Sequence, residues 1–390
     1  MEMMLDEVIK NLGKKFGPGV VQMGVPELET AGLLSLGSPG LDFCLYNSLT
    51  EGKMIEFSGL ESSGKTTAAF LVAASYIRKE LERNPSNPRH ILFVDVECAA
   101  DPVWAKRATG YDMNRTDVKT YYITPTGQSA ESIFDMVLDF VKTGEIGLVI
   151  FDSLSMLVSQ QIADASMEKK DMGGIAKPLG DFCKKIVGIL NKNKTTFIGI
   201  NGLTENVSGY GDPLLTPGGK TWKRACMVRL RFKQGDFFDS EGNALLKKDA
   251  QCPAGHYIEM YVMKTKVCKW DRKLGRMALS YDRGVDLMTD TLDVAIILGI
   301  IDNSVQGSFK FIDPETGEVL HDSAGNEIKI RGRKNLKPYL EDNPEFYRKL
   351  YKSVYEKMSQ KESPYVVSFE SALNINVSEK LGVDMTEMGE

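Results

Sequence analysis

Eight residues, Gly59-Leu60-Glu61-Ser62-Ser63-Gly64-Lys65-Thr66, have the types and spacing to hold a polyphosphate. They fit the pattern G-x-x-x-x-G-K-[ST], whose glycines let the chain turn tightly enough for successive backbone N–H groups to point at one anion. In such a loop Lys65 reaches the β- and γ-phosphates, and the Thr66 hydroxyl takes a place on Mg²⁺. The flanks suit the motif. Met54-Ile55-Glu56-Phe57-Ser58 reads as a buried strand, and Thr67 to Leu81 as a helix with Phe70, Ala73, Ala74 and Ile77 at core-facing spacing. A helix placed there turns its positive end toward the anion. A glycine-rich turn without a ligand is the bland alternative, and the strand-loop-helix context argues against it.

Hydrolysis at such a loop needs a metal-supporting acid and a group that positions water. Leu148-Val149-Ile150-Phe151-Asp152 ends an apolar strand with a carboxylate suited to the metal, and Ser153 follows on the γ-phosphate side. Ile91-Leu92-Phe93-Val94-Asp95-Val96-Glu97 is a second apolar strand ending in acid. Period two puts Asp95 and Glu97 on one side, and ligands of parallel sheets sit at the carboxyl ends of strands, so Glu97 is the candidate water-orienting base. The alternative for Glu97 is an ion-paired strand-end acid. Lys264-Thr265-Lys266 ends an alternating strand, Tyr257 to Met263. Two lysines on one strand face are most often a solvated edge; facing a neighbour's nucleotide, both would supply charge in trans.

The elements that position these groups alternate along the chain. Strands are expected at Met54–Ser58, Ile91–Asp95, Tyr121–Thr124, Leu148–Asp152, Thr196–Ile200 and Met227–Phe232. Helices are expected at Thr67–Leu81, Ser129–Lys142 and Ile175–Lys192. This alternation predicts an α/β fold with a mostly parallel sheet and helices on both faces. Before it, Met3 to Phe16 reads as an amphipathic helix, stopped by Gly17-Pro18-Gly19 and followed by a short strand candidate at Val20–Met23. That segment is too small to hold a core alone and has to pack elsewhere. Two polar stretches interrupt the pattern: Gln160 to Gly173 is irregular and charged, and Gly202 to Gly219 holds five glycines and two prolines. Loops of this length are functional or disordered. Turns at Asp239–Asn243 and Asp313–Gly317 suggest hairpins, and helices are expected at Asp290–Leu298 and Leu336–Met358, with Pro344 at a break. The organisation expected is an arm over 1–33, a core over 34–284, a small α+β unit over 285–358 and a polar tail over 359–390.

The 390 residues are 42% hydrophobic and 26% charged, an ordinary globular composition. The longest apolar run, near Val294 to Ile301, is too short to span a bilayer, and the acidic start is not a signal peptide, so a cytoplasmic location without membrane partners is expected. Six scattered cysteines form no CxxC pair, and Cys252, His256 and Cys268 are a poor zinc set. A net charge of −5 excludes nucleic-acid binding by bulk charge but leaves room for a local basic groove.

Taken together, these positions resemble the RecA recombinase family, over about residues 5 to 358. Ser58 to Thr67 resembles its phosphate loop, Leu36-Gly37-Ser38-Pro39-Gly40-Leu41-Asp42 the segment before it, and Lys14-Lys15-Phe16-Gly17 part of its N-terminal arm. Val94-Asp95-Val96-Glu97 with Asp101-Pro102 resembles the strand of the catalytic glutamate, Phe151-Asp152-Ser153 the metal-supporting strand, and Lys264-Thr265-Lys266 the lysine pair that crosses a subunit interface. The resemblance implies a P-loop RecA-like core with ATP and Mg²⁺ as cofactors. Gly59, Glu61, Ser62, Ser63, Gly64, Lys65, Thr66, Thr67, Asp152 and Ser153 would hold them, with Thr66 and Asp152 on the metal. Glu97 would activate water, Asp101 and Trp104 would face the adenine, and Lys264 and Lys266 would act in trans. It further implies two DNA loops, over 160–173 and 202–219. Met172, Gly173, Lys177, Lys184, Lys185, Val207, Tyr210, Gly218 and Gly219 are their candidate contacts. The implied partners are single- and double-stranded DNA and further copies of the chain in a helical filament. The implied activity is DNA-stimulated ATP hydrolysis coupled to strand exchange in recombination and DNA repair.

Three departures stand out. Gly202 replaces the family's usual Gln after Asn201, a residue that reports the γ-phosphate to the second loop; Asn201 is the substitute at hand. The 202–219 stretch carries no Lys or Arg, leaving Lys220, Lys223 and Arg224 at its flank. The stretches at 236–250 and 306–330 are longer than in the common form. A non-hydrolysing recombination mediator is the alternative reading. A ring helicase or a metabolic kinase fits less well, for want of a large N-terminal domain or an Arg-rich lid.

Overall fold

The computed structural model describes residues 5–16, 33–47, 49–164, 174–206, 211–246, 248–313, 316–322 and 325–359. Helix α1 (Leu5–Phe16) comes first, followed by the short helix α2 (Pro39–Asp42). Then β1 (Met54–Gly59) leads to α3 (Lys65–Arg83), β2 (His90–Asp95) to α4 (Pro102–Thr109), and β3 (Thr120–Ile123) to α5 (Ala130–Lys142). Next, β4 (Ile146–Asp152) leads to α6 (Gln160–Ala163) and α7 (Ala176–Asn193). From β5 (Thr196–Asn201) the chain passes through the two-residue strands β6 (Thr204–Glu205) and β7 (Leu214–Leu215) to α8 (Gly219–Ala225). Strands β8 (Val228–Phe238), β9 (Ala244–Leu245), β10 (Gly255–Lys264), β11 (Leu274–Ser280) and β12 (Gly284–Val285) follow.

The main sheet has the order β12-β11-β10-β8-β1-β5-β4-β2-β3, with β9 on the far end of β8. From β3 to β8 neighbours run parallel; from β8 to β12 they run antiparallel. The parallel strands are apolar at successive positions because both of their faces are covered. Alternation divides them between two cores. Ile91, Phe93, Leu148 and Ile150 pack with Phe70, Leu71 and Tyr76 of α3. Their neighbours Leu92, Val94, Val149 and Phe151 pack with Phe134 of α5, Phe182 of α7 and Trp222 of α8. The register pairs Ser58 with Asn201 and Asp95 with Asp152, so four polar strand ends line one edge of the sheet.

Several expectations need correction. β2 stops at Asp95, so strand alternation does not carry on to Glu97. β3 begins one residue before the expected Tyr121, and β8 runs six residues past Phe232 to Phe238 because β9 and β10 give it partners there. Gln160–Ala163 forms a turn of helix where irregular chain was expected. Helices α4 and α8 were not anticipated, although Asp101-Pro102 is a legible start signal: the Asp101 carboxylate caps the helix and Pro102 occupies its first turn.

After the main sheet come α9 (Leu287–Ile297), a three-stranded sheet of β13 (Ile301–Asp302), β14 (Ser308–Phe311) and β15 (Lys329–Arg331), then α10 (Leu336–Asp342) and α11 (Pro344–Ser359). The single helix expected over Leu336–Met358 is two, parted at Asn343 because Pro344 cannot continue a helix inward from its first turn. These elements share their own core, built on Phe311, Leu336, Leu340 and Val354. Buried carboxylates join them to the segment before β1. Asp290 accepts from the Ser38 hydroxyl at 2.5 Å and the Ala278 N–H at 2.8 Å. Asp42 accepts from Ser35, from the Leu36 N–H at 2.7 Å and from the Tyr355 hydroxyl at 2.9 Å. Arg272 stacks on Phe43 and Tyr46 and donates to the Met358 carbonyl at the end of α11. No helix among the described residues is long and apolar enough to cross a membrane.

Asp42 is wholly enclosed, so each donor it loses is replaced by nothing. Tyr355→Phe keeps the ring and removes one donor. Its expected cost is about 1–3 kcal/mol of unfolding free energy in denaturant titration. An unchanged midpoint would mean that the Asp42–Tyr355 bond does not hold α11.

Candidate active site

The loop from Gly59 to Gly64 turns tightly between β1 and α3. Ser62 and Gly64 have φ of +58° and +86°, the left-handed region that a tight loop around an anion demands. Gly64 opens α3 without a side-chain cap, so the first N–H groups of the helix remain available to a ligand. The Ser63 hydroxyl is buried without a partner among the described residues. The Lys65 ammonium folds back onto the Leu60 carbonyl at 2.7 Å. Burial lowers its pKa, and the carboxylates of Asp152, Glu97 and Glu61 oppose that shift.

Two strands away, Asp152 accepts a 2.6 Å hydrogen bond from the Thr66 hydroxyl. Burial pushes the Asp152 carboxyl up to about 6; the Thr66 bond and Lys65 resist this, and Glu97 and Asp95 add to it. A buried carboxylate beside a hydroxyl is a hard oxygen pair suited to Mg²⁺. The peptide between Asp152 and Ser153 is cis. Glu97 sits just past β2 on a turn organised by its neighbours. The Val96 N–H donates to the Asp152 carbonyl at 2.6 Å, while Asp95 gathers the Ala99 and Ala100 N–H groups and the Tyr122 hydroxyl. Asp95 is therefore buried scaffolding, and Glu97 is exposed at the edge of the site. Asp101 spends one carboxylate oxygen on the N–H groups of Val103 and Trp104, at 2.8 and 3.1 Å, and Trp104 lies half-buried against the α3 core.

Lys264 is engaged within its own chain. Its ammonium caps the end of α8, donating to the carbonyls of Lys223, Arg224 and Cys226 at 2.7, 3.2 and 2.5 Å. Lys266 is exposed. Of the candidate DNA contacts, Lys177, Lys184 and Lys185 lie exposed on α7, the latter two beside Asp181 and Asp135. Gly218 and Gly219 open α8 with positive φ. Met172, Gly173, Val207 and Tyr210 lie outside the described residues.

Sequence reasoning passed over a buried hub. Glu56, at 0% exposure in the middle of β1, accepts from the Trp222 indole at 2.6 Å, the Arg229 guanidinium at 2.5 Å and the Asn201 amide at 3.2 Å. Arg229 also donates to Thr216, and Asn201 to the Pro217 carbonyl, both at 3.0 Å. The far end of the second loop is thus tied to the strand that feeds the phosphate loop. The signal was on view: an acid amid apolar strand residues needs buried donors. In this geometry both Asn201 amide hydrogens are taken, by Glu56 and by the Pro217 carbonyl.

A family model described as the RecA N-terminal domain matches residues 3–286. The chain is similar to proteins called Protein RecA from several bacteria. It is 30% identical to that of Clostridium novyi over 367 residues, covering 92% of each chain. It is 29% identical to that of Campylobacter hominis over 360 residues, covering 91% of this chain and 92% of the other. With that of Mycoplasmopsis pulmonis it shares 28% identity over 360 residues, covering 92% and 95%.

Asp152 supplies a test by pH. Burial pushes its carboxyl from the ordinary 3.8 up to about 6, so its ionisation opposes folding. The cost shrinks as pH falls from about 6 and is nearly gone near pH 4, where the folded group is protonated and the unfolded one about half so; above about pH 6 it is on the order of 3 kcal/mol. Without metal, Asp152→Asn is expected to melt above the parent at pH 8 and level with it near pH 4. An equal gain at both pH values would show that the buried charge is not the cause.

Proposed function

The chain belongs to the RecA family, and from that premise we propose that it is an ATP-dependent recombinase, assembling as a helical filament on single-stranded DNA and exchanging strands with a homologous duplex. The observation that carries this reading is the Thr66–Asp152 pair beside the uncapped start of α3, on the sheet edge to which the second loop is also anchored. One edge can then bind ATP and sense DNA.

The phosphate-loop N–H groups and Lys65 would hold the phosphates, while Thr66 and Asp152 would hold Mg²⁺. Mg²⁺, when bound, neutralises charge gathered on the phosphate oxygens. Glu97 would orient the attacking water from the exposed lip of the site and take its proton. Trp104 offers a flat face for the adenine, with Asp101 fixing the turn that carries it. Lys177, Lys184 and Lys185 would neutralise DNA phosphates, with Lys220, Lys223 and Arg224 replacing the basic residues absent from 202–219.

Self-assembly accounts for two otherwise idle features. None of the described side chains of α1 is buried, and Leu5 is 73% exposed, so its apolar face suits a second copy of the chain. Contact of that kind is head-to-tail and open-ended. Lys266, and Lys264 once freed from α8, would then reach the neighbour's nucleotide. The engaged state of Lys264 also suits a mediator that binds ATP without turning it over.

Steady-state ATP hydrolysis with and without long single-stranded DNA separates the two. A recombinase shows strong stimulation that Lys65→Ala removes; binding without stimulated turnover favours the mediator. Glu97→Gln is expected to retain ATP and DNA binding while losing about 10²–10⁴-fold in turnover; near-normal turnover excludes Glu97 as base. Lys264→Ala with Lys266→Ala should slow assembled, DNA-dependent turnover and leave nucleotide binding by the isolated chain intact. Unaltered turnover would rule out their action in trans.

A further inference from the structure

We infer that Ser155 is a positioning residue that transmits occupancy of the phosphate site to the start of the second loop, through a hydrogen-bonded chain from Ser153 to Gly202. The inference rests on the nucleotide and DNA reading above and supplies its missing link. Ser153 follows the metal-side Asp152 and is 1% exposed. Its hydroxyl oxygen lies 2.9 Å from that of Ser155. The Ser155 hydroxyl in turn accepts the Gly202 N–H at 3.1 Å. Gly202 is the first residue after β5, where the second loop begins.

Two features make this link specific to this chain's residues. A Cβ on residue 202 would stand 3.1 Å from the Ser155 oxygen, close enough that the hydroxyl would have to shift by a few tenths of an ångström. Gly202 and Ser155 thus form a complementary pair. Asn201, the adjoining polar residue, has both amide hydrogens committed to Glu56 and Pro217 and has none to offer a phosphate.

The chain also has a usable polarity. With its oxygen accepting from Gly202, Ser155 can donate its own hydrogen to Ser153. The Ser153 hydrogen is then left to donate toward an anion. An acceptor on the nucleotide side fixes all three bonds in one direction, and aligned hydrogen bonds strengthen each other. Loss of that acceptor lets the hydroxyls turn and slackens the hold on Gly202. The other end of the loop is tied to the fully buried Glu56, so this end is the one placed to respond.

The test uses the full chain and the variants Ser155→Ala and Ser155→Thr. Amide hydrogen exchange over residues 202–206 is followed with and without a non-hydrolysable ATP analogue and Mg²⁺, beside DNA-stimulated hydrolysis. In the parent chain the analogue should slow exchange about tenfold, the factor that one hydrogen bond is worth. Ser155→Ala should lose that slowing and most of the DNA stimulation while still folding cooperatively and binding the analogue to saturation; Ser155→Thr keeps the hydroxyl and should restore both. Equal slowing in Ser155→Ala, or none in the parent, overturns the relay. Nucleotide-dependent exchange in a parent chain whose hydrolysis ignores DNA would leave the relay standing and overturn the recombinase reading instead.

Discussion

A carboxylate enclosed in the middle of a strand cannot be left to itself. Glu56 lies in β1 with both neighbouring strands in place, out of reach of bulk water. Burying such a charge is costly unless donors surround it. The fold supplies them from three directions: Trp222 from α8, Asn201 from β5 and Arg229 from β8. Satisfying Glu56 therefore fixes where α8 starts, and with it where the glycine-rich loop ends. A hydrophobic residue at this position would leave Arg229, Trp222 and Asn201 without their shared acceptor, and the loop would lose its anchor.

The opposite device operates at the strand ends around Asp152. Asp152, Glu97 and Asp95 crowd one sheet edge, and their mutual repulsion adds to burial in raising Asp152. Thr66 and Lys65 offset only part of this. The edge therefore gathers more negative charge than its own donors balance.

Much of this was legible from residue order. The phosphate loop, the strand ending at Asp152 and the α/β alternation follow from local patterns that the sheet obeys, and the apolar parallel strands reflect coverage on both faces. What was not legible depended on contacts far apart in sequence. Strands β11 and β12 exist only as additions to β10, a strand that was itself legible from its alternation, and the cap that Lys264 places on α8 joins residues about forty apart. Helix α8 has little apolar period of its own; it is held by packing on α7, by the Trp222 indole and by a borrowed ammonium. Glu97 was located through strand alternation, yet it is a turn built by Asp95 that carries it.

Arg272, Asp42 and Asp290 have a mechanical meaning. The C-terminal elements are pinned at the first helix, through Asp290 to Ser38, and at the last, through Tyr355 to Asp42 and Arg272 to Met358. All three pins end on or beside the segment from Ser35 to Tyr46, where Gly37 lies hard against Leu71 of α3. A unit hung from one point swings and dissipates a pull at its hinge. Fastened at two, it acts as a bracket. The outer sheet β13–β15 is thereby fastened to the segment that leans on the flank of α3, the helix that begins at Lys65.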